Sequence, residues 1–256
     1  MTLTLVLFVW VGIFVADLAR YVMAAGTATW MVRGIRWPAS RRLRPKEWDS
    51  SQVRFEIGCS LSTVLIFSLT GLSVWALQQA GHTKIYTSIE PLGWSYGVAS
   101  LALLVVAHDA YFYWTHRLLH RPWLLRHVHS WHHRSRQPTP WAAYSFHPGE
   151  AVLQALFLPA AVMIIPLHPV TIFAFTLHMI VRNALGHSGH EVFPRAAVTR
   201  RWLGWSTTVT HHHLHHERAR GNFGLYFSWW DRLCRTQDPA YADAFAAATD
   251  GEGVHA

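Results

Sequence analysis

Lysine is nearly missing: Lys46 and Lys84 are the only two among 256 residues, so the 22 basic side chains are almost wholly arginine. Cysteine is as scarce. Cys59 lies in an apolar run and Cys234 near the C-terminus, too few and too far apart for a disulfide framework or a cysteine metal site, so any metal chemistry falls to histidine. The chain has no G-x-G-x-x-G and no C-x-x-C-H, which removes the flavin, nicotinamide and attached-haem signatures. It has no H-E-x-x-H helix either, because the histidine required after His216-Glu217 does not follow, and this argues against a zinc peptidase. Repeats, low-complexity tracts and long linkers are absent. Acidic residues number only 14, leaving a net charge of +8.

What is abundant is apolar surface: 51% of the residues are hydrophobic, with tryptophan and phenylalanine plentiful. The positive charge suits anionic lipid headgroups or an acidic partner. Nucleic acid is set aside, because these arginines flank apolar runs of membrane length rather than polar, soluble segments. Residues 3–25 are long enough to cross a bilayer core of about 30 Å. Asp17 and Arg20 interrupt that run three apart on one helical face, where they can pair. No small-residue cleavage site follows a basic n-region, so the run reads as a span rather than a signal peptide. Residues 33–54 carry seven basic residues with Pro38 and Pro45, and the positive-inside rule places them in the cytoplasm and the N-terminus outside. A second span covers 57–77. After a loop with Pro91 and Gly93, a third runs from 94 to 115 and returns to the cytoplasm. Residues 151–181, with Pro159, Pro166 and Pro169, are too long for one span and short for two. They read as a helical hairpin turning at Pro166-Leu167-His168-Pro169.

Histidine is in large excess, nineteen in all, most of them between His108 and His216. The third helix runs on past the membrane so that His116 and His120 lie four apart on one face. Pro122 is suited to begin the next helix, on which His129, His132 and His133 share a face. His212, His215 and His216 repeat that spacing, with Thr208 or Thr210 as a cap ahead of them. Asn183 and His187 are again four apart. One such pair arises easily by chance in a chain this rich in histidine, whereas three ordered groups at the same ends of helices do not. A zinc ion takes four ligands and a catalytic zinc three, so nine aligned histidines call for two ions; imidazole alone does not select among zinc, copper, iron and nickel. The remaining histidines carry less. His108 and His178, inside apolar runs, read as hydrogen-bonded core; His82, His168 and His255 as loop or tail; His211 and His213 as off the ligand face. His147 and His190 are candidates for the rim of the site, and Asp109 for orienting a ligand imidazole or pairing helices.

These residues, in this order, resemble the fatty acid hydroxylase superfamily of sterol desaturases, sterol methyl oxidases and fatty acid hydroxylases, over about residues 95–237. The anchors are His116 to His120, His129 to His133, Asn183 to His187 and His212 to His216, with Gln137-Pro138-Thr139-Pro140, Asn222-Phe223-Gly224 and Trp230-Asp231-Arg232-Leu233. The proline-threonine-proline and Phe146-His147-Pro148 region looks closest to the sterol desaturase branch. The resemblance implies a non-haem di-iron centre that uses O2, with electrons from a separate protein, a ferredoxin or a small haem carrier with its reductase. Its implied ligands are His116, His120, His129, His132, His133, His187, His212, His215 and His216. Asn183 stands where some relatives have a tenth histidine. Cys234-Arg235-Thr236 replaces the usual aromatic-glycine-threonine, which puts the local turn in question.

The expected protein is therefore an all-α, multi-pass helical membrane protein of about four membrane segments including the hairpin, with a cytoplasmic histidine-rich metal-binding cap. Residues 1–93 would form the N-terminal membrane helices and basic loop, 94–237 the catalytic domain, and 238–256 a dispensable alanine-rich tail. An unactivated C–H bond of a membrane lipid offers a side chain no acidic proton, so acid-base catalysis has no foothold and a redox metal with O2 does. Hydroxylation or desaturation of a sterol or fatty acyl lipid is the expected reaction. A zinc-dependent membrane hydrolase and a non-catalytic metal-binding protein are the alternatives. The arginine-over-lysine bias and the lack of a lysine retrieval tail point to a bacterial inner membrane.

Overall fold

A computed structural model describes residues 2–44, 47–90, 92–196 and 204–250; Pro45, Lys46, Pro91 and His255 of the sequence reading lie outside them. Three long helices dominate: α1 (Leu3–Gly34), α2 (Ser50–Gln79) and α3 (Gly93–Leu119). Each is long and apolar enough to cross a membrane, and each keeps large apolar side chains exposed, among them Phe8, Leu69 and Val98. The first two start at side-chain caps, where Thr2 accepts from the Leu5 amide and Asp49 from that of Ser51. Among the described residues there is no strand, only isolated bridges.

Past α3 the chain turns at Arg121 and resumes with Pro122 at the first helical position, as α4 (Pro122–Leu124), a π-helical turn over Leu125–His129, and α5 (Ser130–His133). A 3-10 turn over Pro140–Tyr144 follows. The hairpin then forms, with legs α6 (Pro148–Ala155) and α7 (Phe157–Ile164) on one side and α8 (Pro169–Gly186) on the other. Its first leg breaks at Leu156 because Pro159 has no N–H to give the Ala155 carbonyl. Both His-Pro pairs act as caps: His147 Nδ1 accepts from Gly149 N at 3.1 Å and His168 Nδ1 from Val170 N at 3.2 Å. The last elements are α9 (Val209–Arg218), α10 (Trp229–Leu233) and α11 (Tyr241–Thr249).

Small residues let the helices approach closely. Ala24, Ala25 and Ala28 of α1 pack with Val64, Ile180, Ala184 and the Ala143–Phe146 stretch in one core. Tyr21 and Ser60 both donate to the Trp141 carbonyl at 2.9 Å, fixing the 3-10 turn between α1 and α2. The N-terminal helices thus pack directly on the region expected to form the catalytic domain. The tail is no appendage either. Tyr241 and Phe245 are buried with Leu214 of α9, and Tyr241 Oη sits 3.2 Å from Thr208 Oγ1.

Candidate metal centre

The helix ends on one side of this bundle bring nine histidines together in two groups. One holds His116, His120, His129, His133 and His215; the other holds His132, His187, His212 and His216. Within each, one ring nitrogen per residue lies within 4.8 Å of the others. The groups adjoin, the His133 and His216 ring centroids being 5.0 Å apart. Thr208 caps α9 by accepting from His211 N at 3.3 Å, and the helix presents His212, His215 and His216 inward.

The hydrogen bonds fix which nitrogens face the centre. His116 Nδ1 lies 2.9 Å from Phe223 O, His120 Nδ1 3.1 Å from Ala219 O, and His215 Nδ1 2.7 Å from Gly221 O. In the second group His132 reaches Ser145 O, His187 Asn183 O, and His216 Ser135 O. His129 Nδ1 is 2.8 Å from Glu150 Oε2. A carbonyl or carboxylate oxygen only accepts, so these Nδ1 atoms carry the proton and each neutral ring turns a bare Nε2 inward. Those bare atoms meet: His116 and His129 Nε2 are 3.1 Å apart, and His187 and His216 Nε2 3.2 Å. Two lone pairs at that range repel unless a cation lies among them. Two nitrogens at right angles, each about 2.1 Å from one ion, would stand roughly 3.0 Å apart, so the residues fit metal ions. Five nitrogens in one group exceed the four of a tetrahedral zinc site.

Burial keeps the rings neutral. It holds His129, His132, His212, His215 and His216 well below the ordinary imidazole range, with neighbouring rings adding to the effect, and lowers His133 to about 2 and His120 and His187 to about 4. Neutral imidazole is the form that binds a metal.

The other candidates fall elsewhere. His147 caps α6 and packs edge-on against Trp131; neither it nor His190 joins either group. Asn183 Nδ2 donates to Ala143 O at 2.6 Å, which ties α8 to the 3-10 turn. Asp109 reaches no histidine among the described residues. Its Oδ1 accepts from Tyr226 N and Phe227 N at 2.8 and 3.2 Å and its Oδ2 from Trp229 Nε1 at 2.9 Å, so it anchors the 226–229 loop rather than orienting a ligand ring. The carboxylate that does orient one, Glu150, had no spacing signal, lying 21 residues from His129. Asp231 was equally hidden. Its two oxygens accept from Phe223 N and Gly224 N at 2.9 Å and from the Thr236 hydroxyl at 2.8 Å, holding the 219–224 loop whose carbonyls receive His116, His120 and His215. Burial alone would raise this carboxyl, but the nearby His211 ring with the Thr236 and Gly224 donors keeps it below its usual range. Gly221, at φ +115°, leaves no room for a Cβ beside the Thr236 carbonyl. The turn at Cys234-Arg235-Thr236 survives, with Arg235 at φ 54° where a glycine would be unstrained.

Chain comparison agrees with this geometry. The family model described as fatty acid hydroxylase matches residues 101–236. The chain belongs to the fatty acid hydroxylase family, on its sterol desaturase branch. Among curated relatives it is 32% identical over 182 residues to a Delta(7)-sterol 5(6)-desaturase of Gibberella zeae, covering 71% of this chain and 54% of that one. It is 31% identical over 193 residues to the lathosterol oxidase of Rattus norvegicus, covering 75% and 63%. The chain thus spans between half and two thirds of the length of these relatives. No solved structure matches. All nine clustered histidines fall inside the matched family region, whereas α1 and α2, which wall the space beside them, lie before it.

That space is a cavity of ≈ 320 Å³ among α1, α2, α3 and the hairpin, within the size range of small-molecule sites. Phe112 and Phe146 line its inner end, with ring centroids 5.0 Å from His116 and 5.4 Å from His132. Its walls are mostly aliphatic and aromatic.

Proposed function

We propose that this chain is an O2-dependent di-iron membrane oxidoreductase that hydroxylates or desaturates a lipid, of the sterol type that the names of its relatives print. The convergence of ring nitrogens from nine histidines, seven of them buried and two half-buried, beside an apolar cavity carries this reading. Two iron ions held by those groups would supply O2 activation and the cleavage of an unactivated C–H bond. His116, His120, His129, His133 and His215 would hold one ion, and His132, His187, His212 and His216 the other. The protein's own contribution is positional. Backbone carbonyls and Glu150 lock the rings in one tautomer, Phe112 and Phe146 exclude water from the cavity's inner end, and the aliphatic walls align the lipid. The arginine-rich segment after α1 packs on the same side, through Arg41 donating to Glu191 O at 2.6 Å. We assign that side to the cytoplasm, where Arg33, Arg36, Arg42 and Arg54 are exposed for an acidic electron carrier.

Two measurements test this. Protein purified without oxygen should contain iron near two per chain, and His132→Ala should lose iron and turnover while still inserting in the membrane; zinc in place of iron would favour a hydrolase. Mass spectrometry of lipid extracts from cells with and without the intact chain should show a lipid gaining oxygen or losing two hydrogens. Unchanged lipids together with iron-free protein would sink the proposal.

A further inference from the structure

Tyr113 lies on α3 one turn ahead of His116 and is wholly buried, yet neither the histidine groups nor the cavity uses it. Its ring packs edge-on to Phe223 with centroids 6.2 Å apart, and Phe223 lies 4.9 Å from the His120 ring. Tyr113 also stacks on Trp230 of α10, with centroids 5.9 Å apart and the planes at 22°. Trp230 meets Trp114 at 5.8 Å, and Trp114 is 49% exposed. These rings make an unbroken file from the five-membered histidine group to the surface. The phenol has a second connection. Tyr113 Oη lies 3.0 Å from Thr236 Oγ1, and that hydroxyl donates to Asp231 Oδ1 at 2.8 Å, so the phenolic O–H is the donor of the first bond. Arg117 Nη1 donates to the same phenolic oxygen at 3.3 Å and favours loss of its proton. A bond needed only to fasten the turn at Thr236 would require neither the stack on Trp230 nor a proton path to a carboxylate.

We propose that Tyr113, Trp230 and Trp114 form a relay that carries an oxidising equivalent from the histidine groups to the surface when no lipid occupies the cavity. Chemistry able to break an unactivated C–H bond turns on nearby side chains once substrate is absent, and a site must divert it. Tyrosine and tryptophan are the aromatic side chains that give up one electron most readily. Tyr113 loses one electron toward the centre while its proton moves to Thr236 and the Thr236 proton moves to Asp231. Trp230 then returns one electron to Tyr113, which takes its proton back along the same bonds. Trp114 refills Trp230, and the reduced carrier that feeds the reaction refills Trp114. The net change is one electron passed from carrier to centre, with no proton gained or lost by the chain. The ligand rings and the cavity walls are spared. This inference rests on the oxidation reading of the site.

Two arms test it, one of them without iron. In the first, flash photo-oxidation by a ruthenium photosensitiser with a sacrificial electron acceptor takes single electrons from surface tryptophans of the full chain in lipid nanodiscs. Electron paramagnetic resonance reads where the radical settles. A tyrosyl signal should form, should be largely lost in Tyr113→Phe and in Trp114→Phe, and should persist in Tyr144→Phe, a cavity tyrosine outside the file. In the second arm, iron-loaded protein consumes O2 with reduced ferredoxin and no lipid, and peptide mass spectrometry locates added oxygen. Oxygen should accumulate on Trp114; in Tyr113→Phe it should fall severalfold there and appear on His116, His120 and Phe223. A merely structural Tyr113 would lower thermal stability and leave both patterns unchanged, which overturns the proposal. A tyrosyl signal equal in all variants also overturns it. Trp114→Phe, at a half-exposed position, keeps the test decisive if Tyr113→Phe does not fold. The flash arm needs no iron, so it decides the relay even where iron content and O2 uptake defeat the oxidation reading.

Discussion

The His129 ring is gripped at both ends, with Nδ1 on Glu150 and Nε2 among the nitrogens of its group. Glu150→Gln keeps an acceptor oxygen but removes the carboxyl, whose proton burial favours by pushing it well above the usual carboxylate range, and iron affinity should fall about tenfold by titration against a chelator; unchanged affinity would mean that Glu150 only fills space. The depressed imidazole values have a consequence for pH. Folded His120 and His187 titrate at about 4, against about 6.5 unfolded. Between those values the unfolded chain binds more protons than the folded one, so stability rises with pH across that window and is lost as pH falls through it. The metal-free protein should therefore unfold at progressively lower temperature from about pH 6.5 down to about pH 4, followed by circular dichroism. A flat profile would show that the rings are not held neutral.

At the scale of elements, the 219–224 loop and α10 act as one support. Asp231 in α10 holds the amides of Phe223 and Gly224, and the loop's carbonyls hold three rings of the five-membered group. Asp231→Ala should release that group alone. Iron per chain should drop toward one while the four-membered group, whose rings rest on Ser145, Asn183 and Ser135, keeps its ion. Loss of both ions together would show that the two groups fold as a unit. The C-terminal helix supports α9 from the other side. Removing the chain after Asp238 strips Tyr241 and Phe245 from Leu214. Burial of such side chains is worth about 1.5–3 kcal/mol each, so the truncated protein should lose several kcal/mol and melt earlier.

For the whole molecule, the exposed arginines and the histidine groups lie on one side and the cavity opens into the apolar body. Electrons arrive from that side in the proposed reaction, and an acidic carrier should dock there through screened, long-range attraction. Turnover with a reduced ferredoxin should fall as ionic strength is raised from about 0.01 M to about 0.15 M, where the screening length shortens from roughly 30 to 8 Å. A rate independent of salt would move the docking surface elsewhere. Charge and cavity thus divide the labour between the two solvents that such a protein must face.

The sequence by itself determined the three long apolar helices, the hairpin and its turn, the pairing of Asp17 with Arg20, the capping Thr208, and the nine histidines that share faces. Each of these is a local property, set by spacing within one helix or by the length of an apolar run. Only the tertiary structure decided that the nine divide as five and four, with His133 and His215 joining α3 while His132 joins α8. It also decided that Glu150 and Asp231 support the rings, that Asp109 and His147 do other work, and that the tail belongs to the core. Most of those facts depend on which helix ends meet, and contacts such as His129–Glu150, 21 positions apart, and Asp109–Trp229, 120 apart, leave no period in a sequence.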